Sequence, residues 1–249
     1  QDDPVFAGKK RELVAADYVY SIKRLMDPKI ASPNYYLIEN KLAGMKPVRE
    51  AAEKSGKFDY DREFHGLRAL DRYRLQIVFD KPQYEFLYDL TASAFSAVAR
   101  EVVEKYRDER GRVREHPVGT NAFQLAADEW KRSSRIVLTR YPGYRDEALP
   151  LASGPSPTLK VPQLDRIEVQ ILEEPLPRML AFQSGELDQI DVPRALHERV
   201  FDGTALKAEY ATRGIRHQRR MEPSLQFQYF NMSDPVVGGM ALEKIALRR

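Results

Sequence analysis

Between positions 14 and 26, Tyr18, Val19, Ile22, Leu25 and Met26 recur at i, i+3, i+4 and i+7 spacing, while Asp17, Lys23 and Arg24 fall off that stripe. This pattern predicts an amphipathic helix. Asp27-Pro28 ends it, because proline drives the preceding residue out of helical backbone. A polar, Gly/Lys-rich stretch occupies 44–66. Next, Tyr73, Leu75, Ile77 and Phe79 alternate with Arg72, Arg74, Gln76 and Val78, the pattern of a half-buried strand. Helical spacing returns over 96–106 through Val98, Val102, Val103 and Tyr106, and the charged 107–115 reads as a solvated turn. Ile136-Val137-Leu138 and the alternating Ile167, Val169 and Ile171 predict two further strands.

Between them, 149–162 carries Pro150, Pro155, Pro157 and Pro162. Proline cannot donate to a ladder or continue a helix, so this is a surface connection. Leu176, Met179, Leu180 and Phe182 predict a helix over 175–184, stopped by Gly185. Residues 187–192 form a candidate short strand, and Pro193 opens a short helix holding Leu196, Val200 and Phe201. Leu225, Phe227 and Tyr229 alternate with Gln226, Gln228 and Phe230, which predicts a strand with a polar and aromatic second face, and a helix is expected over 241–249.

Composition narrows the class. With 249 residues, 43% hydrophobic and 31% charged, the chain has enough apolar material for a packed core. Its 40 basic and 37 acidic side chains leave a net charge of only +3, too balanced for a strongly polyelectrolytic partner. The longest stretch without Asp, Glu, Lys or Arg is twelve residues, as at 116–127, well short of the roughly 20 needed to cross a bilayer. No membrane insertion of this segment is expected. Without cysteine, disulfides, thiol nucleophiles and Cys-based metal sites are excluded, although the redox compartment stays open.

Enzyme chemistry finds little support. His65, His116, His197 and His217 lack the spacing of a metal site, and no catalytic-serine elbow, dinucleotide loop or phosphate loop is present. No cofactor or metal is expected. Glu173-Glu174 and Glu186/Asp188 are close carboxylates that surface charge explains equally well. The basic stretch 207–220 has no nucleic-acid motif beside it, so no nucleic acid partner is expected. Thirteen tyrosines, among them Tyr35-Tyr36 after Ser32-Pro33, suit either a wet ligand cleft or the rim of a core.

The order of motifs is more telling. The run from Arg11 to Pro28, with Asp17, Ser21 and Arg24, resembles the "T-A-x-D-V-x-x-S-x-x-R" helix of family 5 extracellular solute-binding proteins, the peptide and nickel receptors of ABC importers. Gly66 to Leu75 with the later Pro82, His116-Pro117-Val118-Gly119-Thr120, Trp130 to Tyr144, and Ala181 to Asp188 resemble further family motifs in the family's order, as does Tyr229-Phe230-Asn231. Two positions depart: Asn121-Ala122 stands for the usual Gly-Pro, and Tyr141 for Asn.

The resemblance implies an α/β fold, an incomplete periplasmic-binding-protein-like lobe of the type II, peptide-binding class, with a mixed sheet and flanking helices. It implies an internal fragment in which 12–192 is first-lobe region and 193–249 holds the crossover and the start of the second lobe. It also implies a periplasmic, non-enzymatic receptor that captures peptides or a similar small solute between two lobes and delivers it to permease subunits. Tyr35, Tyr36, Gln189, Asp191, Gln226 and Gln228 are its ligand-binding candidates, whereas Gly119, Thr120, Gly185 and Asp188 read as fold-determining turns. The alternatives are an enzyme lobe with a carboxylate-lined pocket, or a structural, partner-binding module.

Overall fold

The computed structural model describes residues 1–145, 147–150, 158–220 and 225–248. They form two compact units, Gln1–Leu172 and Glu173–Arg249.

The first unit is built on α1 (Ala15–Met26), whose apolar stripe buries Ile22, Leu25 and Met26. Asp17 starts the helix by reaching back to accept from the Val14 backbone N–H at 2.8 Å, a side-chain answer to an unpaired helix-start donor. α1 packs on β1 (Leu67–Ala69) and β2 (Leu75–Ile77), and α2 (Met45–Ser55) and α3 (Phe86–Asp89) contribute to the same core. Their buried side chains form one core: Leu37, Ile38, Leu42, Met45, Val48, Phe58, Phe64, Leu67, Phe86 and Phe95 join the α1 residues. The expected strand around 73–79 is shorter than its pattern, with Leu75, Ile77 and Phe79 packed on this core and Tyr73 exposed. The polar stretch 44–66 holds α2, which the sequence reading did not anticipate. Three small or apolar positions, Met45, Val48 and Ala52, bury one narrow stripe, and Gly44 and Gly56 flank the helix at φ +76° and +69°.

Gly66 permits a close backbone crossing. Ala43 N–H donates to Val78 O and Val78 N–H to Gly66 O, at 2.9 and 3.0 Å, and a Cβ on Gly66 would lie 2.5 Å from Ala43 O.

After α4 (Arg100–Tyr106) comes a three-stranded sheet of β3 (Phe123–Lys131), β4 (Arg135–Arg140) and, beyond a ribbon of β5 (Glu147–Pro150) and β6 (Thr158–Val161), β7 (Arg166–Gln170). The sheet order is β3-β4-β7, with Val137 fully buried at its centre. β4 and β7 meet the strand expectations at 136–138 and 167–171; β3 was not expected. The ends of the proline-rich connection pair as β5 and β6, a two-stranded ribbon in which proline is tolerated at an edge; Pro155 and Pro157 lie outside the described residues. Every strand pair among the described residues is antiparallel, so the parallel component of the expected mixed sheet is not among them.

The second unit opens with α5 (Pro175–Ser184), ended as expected by Gly185 at φ +84°. Glu186 and Leu187 N–H then bond back to Ala181 O. That closure corrects the strand expected at 187–192: the chain folds onto its own helix end and forms no ladder there. Then follow α6 (His197–Val200), the hairpin of β8 (Phe201–Asp202) and β9 (Ala205–Leu206), and α7 (Ala208–Ala211), packed through Met179, Leu196, Val200, Phe201 and Tyr210. α8 (Leu242–Arg248) closes the unit.

The strand expected at 225–230 is also corrected. The segment is irregular, and Leu225, Phe227 and Tyr229 are 84%, 72% and 84% exposed. Alternation prepares a strand, but a ladder needs a partner, and none pairs with it among the described residues.

Candidate functional site

The motif residues of the first helix hold the fold. Arg11 grips the buried Asp17 carboxylate with both terminal nitrogens, at 2.6 and 3.1 Å. Ser21 donates to Asp17 O and accepts from Val98 N–H, both at 2.8 Å. Arg24 donates to Gly111 O at 2.8 Å. The two departures meet at one corner, where Tyr141 N–H donates to Ala122 O at 2.8 Å and Asn121 Oδ1 accepts from Ala122 N–H at 2.7 Å.

The six ligand candidates divide between the units. Tyr35 is half-buried against the first core, with the Arg49 guanidinium 4.0 Å from its ring centroid; burial pushes its phenol pKa up. Adjacent Tyr36 is 64% exposed. Gln189 and Asp191 lie exposed in the irregular segment after Gly185. Gln226 and Gln228 are exposed on the irregular 225–230 segment, so they do not share a buried crossover strand. The structure brings Tyr35 and Tyr36 together on one short turn, Tyr35–Leu37.

Two cavities in the first unit escaped sequence reasoning. One, of about 590 Å³, is lined by Asp3, His116, Trp130 and Arg132 among others. His116 Nε2 stands 2.5 Å from Asp3 Oδ2 and its ring stacks on Tyr106 at 3.6 Å. Burial raises the Asp3 pKa, but the bonds from His116 and Val5 N–H outweigh it and hold the carboxyl below its usual range. The other, of about 570 Å³, lies over α1 and is lined by Lys23, Tyr20, Tyr60, Leu67 and Arg68 among others. Lys23 is 3% exposed and donates to Tyr60 O and Arg62 O, each at 2.8 Å. No group of three or more His, Asp or Glu able to hold a metal occurs among the described residues.

Comparison with known proteins defines the class. Residues 8–249 match the family model described as bacterial extracellular solute-binding proteins, family 5 Middle. The chain belongs to this family. It is 25% identical over 232 residues to the periplasmic oligopeptide-binding protein OppA of Salmonella typhimurium, covering 89% of this chain and 35% of that one. The dipeptide-binding protein DppE of Bacillus subtilis is 28% identical over 200 residues, covering 80% and 31%. Among solved structures, the Escherichia coli murein tripeptide binding protein MppA superposes with a TM-score of 0.56 at 20% identity, covering 76% of this chain and 33% of that one. OppA of Burkholderia pseudomallei superposes with 0.55 at 21% identity, covering 75% and 33%. The chain thus spans about a third of the length of these relatives. No helix among the described residues is long and apolar enough to cross a membrane.

Proposed function

We propose that this chain is part of the substrate-binding component of an ABC importer, a periplasmic receptor that captures peptides between two lobes and hands them to permease subunits. The observation that carries the reading is the family match across residues 8–249, supported by relatives named for oligopeptides and dipeptides. In this reading 12–192 belongs to the first lobe and 193–249 to the crossover and second lobe. Lobe closure draws its free energy from contacts made only in the closed state. Tyr35, Tyr36, Gln189, Asp191, Gln226 and Gln228 face the ligand; the two glutamines bond to a peptide backbone, which offers both donors and acceptors. The receptor binds and releases its ligand unchanged and needs no metal or cofactor.

The test is mass spectrometry of ligand co-purifying with the full-length protein, followed by calorimetric titration with that ligand. Recovered peptides that rebind support the reading. A co-purified non-peptide solute, with no heat from peptides, overturns it.

A further inference from the structure

The chain crosses α1 on a short span with buried ends. Phe58 and Phe64 are core residues, whereas Asp59, Asp61, Arg62 and Glu63 between them are exposed. Tyr60 alone packs inward, its ring centroid 5.1 Å from that of Tyr20 and 5.0 Å from that of Phe58. The rest of the span is held by polar ties.

Asp59 sets the bend. Its Oδ1 accepts from Asp61 and Arg62 N–H at 3.0 and 3.2 Å, a turn in which a side chain stands in for backbone. The bent span brings Tyr60 O and Arg62 O to one head group, the Nζ of Lys23, which donates to both at 2.8 Å. Lys23 is 3% exposed. Burial opposes its charge and so does Arg100, while Asp61, Asp59 and Glu63 favour it. Two carbonyl oxygens converging on a primary amine make an amine site, and here the helix beneath supplies the occupant.

We propose that 59–63 is a strap over α1 whose closure depends on an occupied amine site: Lys23 is a built-in ligand for Tyr60 O and Arg62 O, and the strap opens when that ligand is withdrawn. The inference lies within the first unit and does not depend on the peptide reading. Removing the amine leaves two carbonyls without their donor, which is costly where they are buried. The remaining ties are the Tyr60 hydroxyl on Asp27 and the Arg100–Asp61 pair; the latter is exposed and contributes little. Tyr60, Asp61 and Glu63 also line the cavity over α1, so the strap's position sets one wall of that space.

The test is limited digestion of the full-length protein with a glutamyl endopeptidase, with fragments read by mass spectrometry. Cutting after Glu63 requires the strap to lift, and cutting after Glu109, in the exposed turn that follows α4, is the internal reference. Wild type, Lys23→Ala and Lys23→Met are compared alone and with propylammonium, tetramethylammonium or 1-propanol. Relative cutting after Glu63 should rise about tenfold in both variants, because two hydrogen bonds are lost. Propylammonium carries N–H donors and should restore slow cutting in Lys23→Ala, where truncation leaves room for it, but not in Lys23→Met, whose side chain fills the space. Tetramethylammonium has charge without donors, 1-propanol a single donor without charge; neither should restore it. Thermal unfolding verifies folding. Should Lys23→Ala fail to fold, recovery of its fold by propylammonium alone is the supporting result, and Lys23→Met supplies the cutting rate. Wild-type cutting in either folded variant, no restoration of cutting or folding by propylammonium in Lys23→Ala, or equal restoration by 1-propanol or tetramethylammonium each overturns the proposal.

Discussion

The Tyr60 hydroxyl donates to Asp27 Oδ2 at 2.6 Å, joining the loop over α1 to the residue that ends the helix. Asp27 is 7% exposed, and its other oxygen accepts from Lys29 N–H at 2.9 Å. Tyr60→Phe removes the donor and keeps the ring, leaving a buried carboxylate oxygen without its partner. The expected cost is about 1–3 kcal/mol, read by urea unfolding. A change within error would show that water replaces the hydroxyl freely.

Lys23 makes stability depend on alkaline pH. Burial holds its ammonium below the usual lysine range, with Asp61, Asp59 and Glu63 opposing that shift. Between the folded value and the unfolded one, about 10.4, the unfolded chain binds more protons, so stability rises with pH in that window. Burial raises the Tyr20 and Tyr60 phenols, whose contribution is lost only above about pH 10. Wild type should therefore gain stability relative to Lys23→Met as pH climbs toward that value. Parallel pH profiles in unfolding experiments would refute this.

Gly66→Ala tests the crossing at Ala43. The added methyl would lie 2.5 Å from Ala43 O and 2.6 Å from Ala43 N, backbone atoms held in place by hydrogen bonding. Overpacking of this kind costs about 1–3 kcal/mol, and a lowered melting temperature is the readout. An unaltered melting curve would mean that the 42–43 backbone yields easily.

The adjacent tyrosines should separate by measurement. Tyr35→Ala strips a half-buried ring from the core and from Arg49 and should lose about 1–3 kcal/mol of stability. Tyr36→Ala, at an exposed position, should stay within about 0.5 kcal/mol in stability while weakening peptide binding in the full-length receptor. Equal stability losses, or unchanged peptide affinity in Tyr36→Ala, would count against this division.

Gln226 and Gln228 are predicted to matter only with ligand bound. Both are exposed, so replacing both by Leu should leave unfolding of the ligand-free protein nearly unchanged. Peptide affinity should fall by ~0.5–1.5 kcal/mol for each lost hydrogen bond. Calorimetry on the double variant decides, and retained affinity removes these residues from the site.

What the sequence disclosed follows from what periodicity measures. Five apolar residues on one stripe made α1 legible: Ile22, Leu25 and Met26 enter the core and Val19 packs against it, while Tyr18, at the edge of the stripe, is exposed. α2 hid because its buried stripe is only Met45, Val48 and Ala52 between two glycines. β3 hid because its register shifts between Leu125 and Trp130, which breaks strict alternation. The opposite error arose at 225–230, where alternation reports a side-chain face and cannot report a neighbouring strand. For the cavities the obstacle was distance: Asp3 and His116 are 113 positions apart. Lys23 read as an ordinary off-stripe cation, yet the 59–62 backbone closes over that face of the helix and hides it.

Among the described residues, the second unit packs around five buried side chains against fourteen in the main core of the first, and this difference has a kinetic consequence. Free energies of local opening follow the apolar contact a region must give up. Amide protons on α5 and α6 should therefore trade with deuterium well before those of α1, and a protease given limited time should cut first between Glu173 and Tyr210. The clock of exchange would run at two speeds along a single chain.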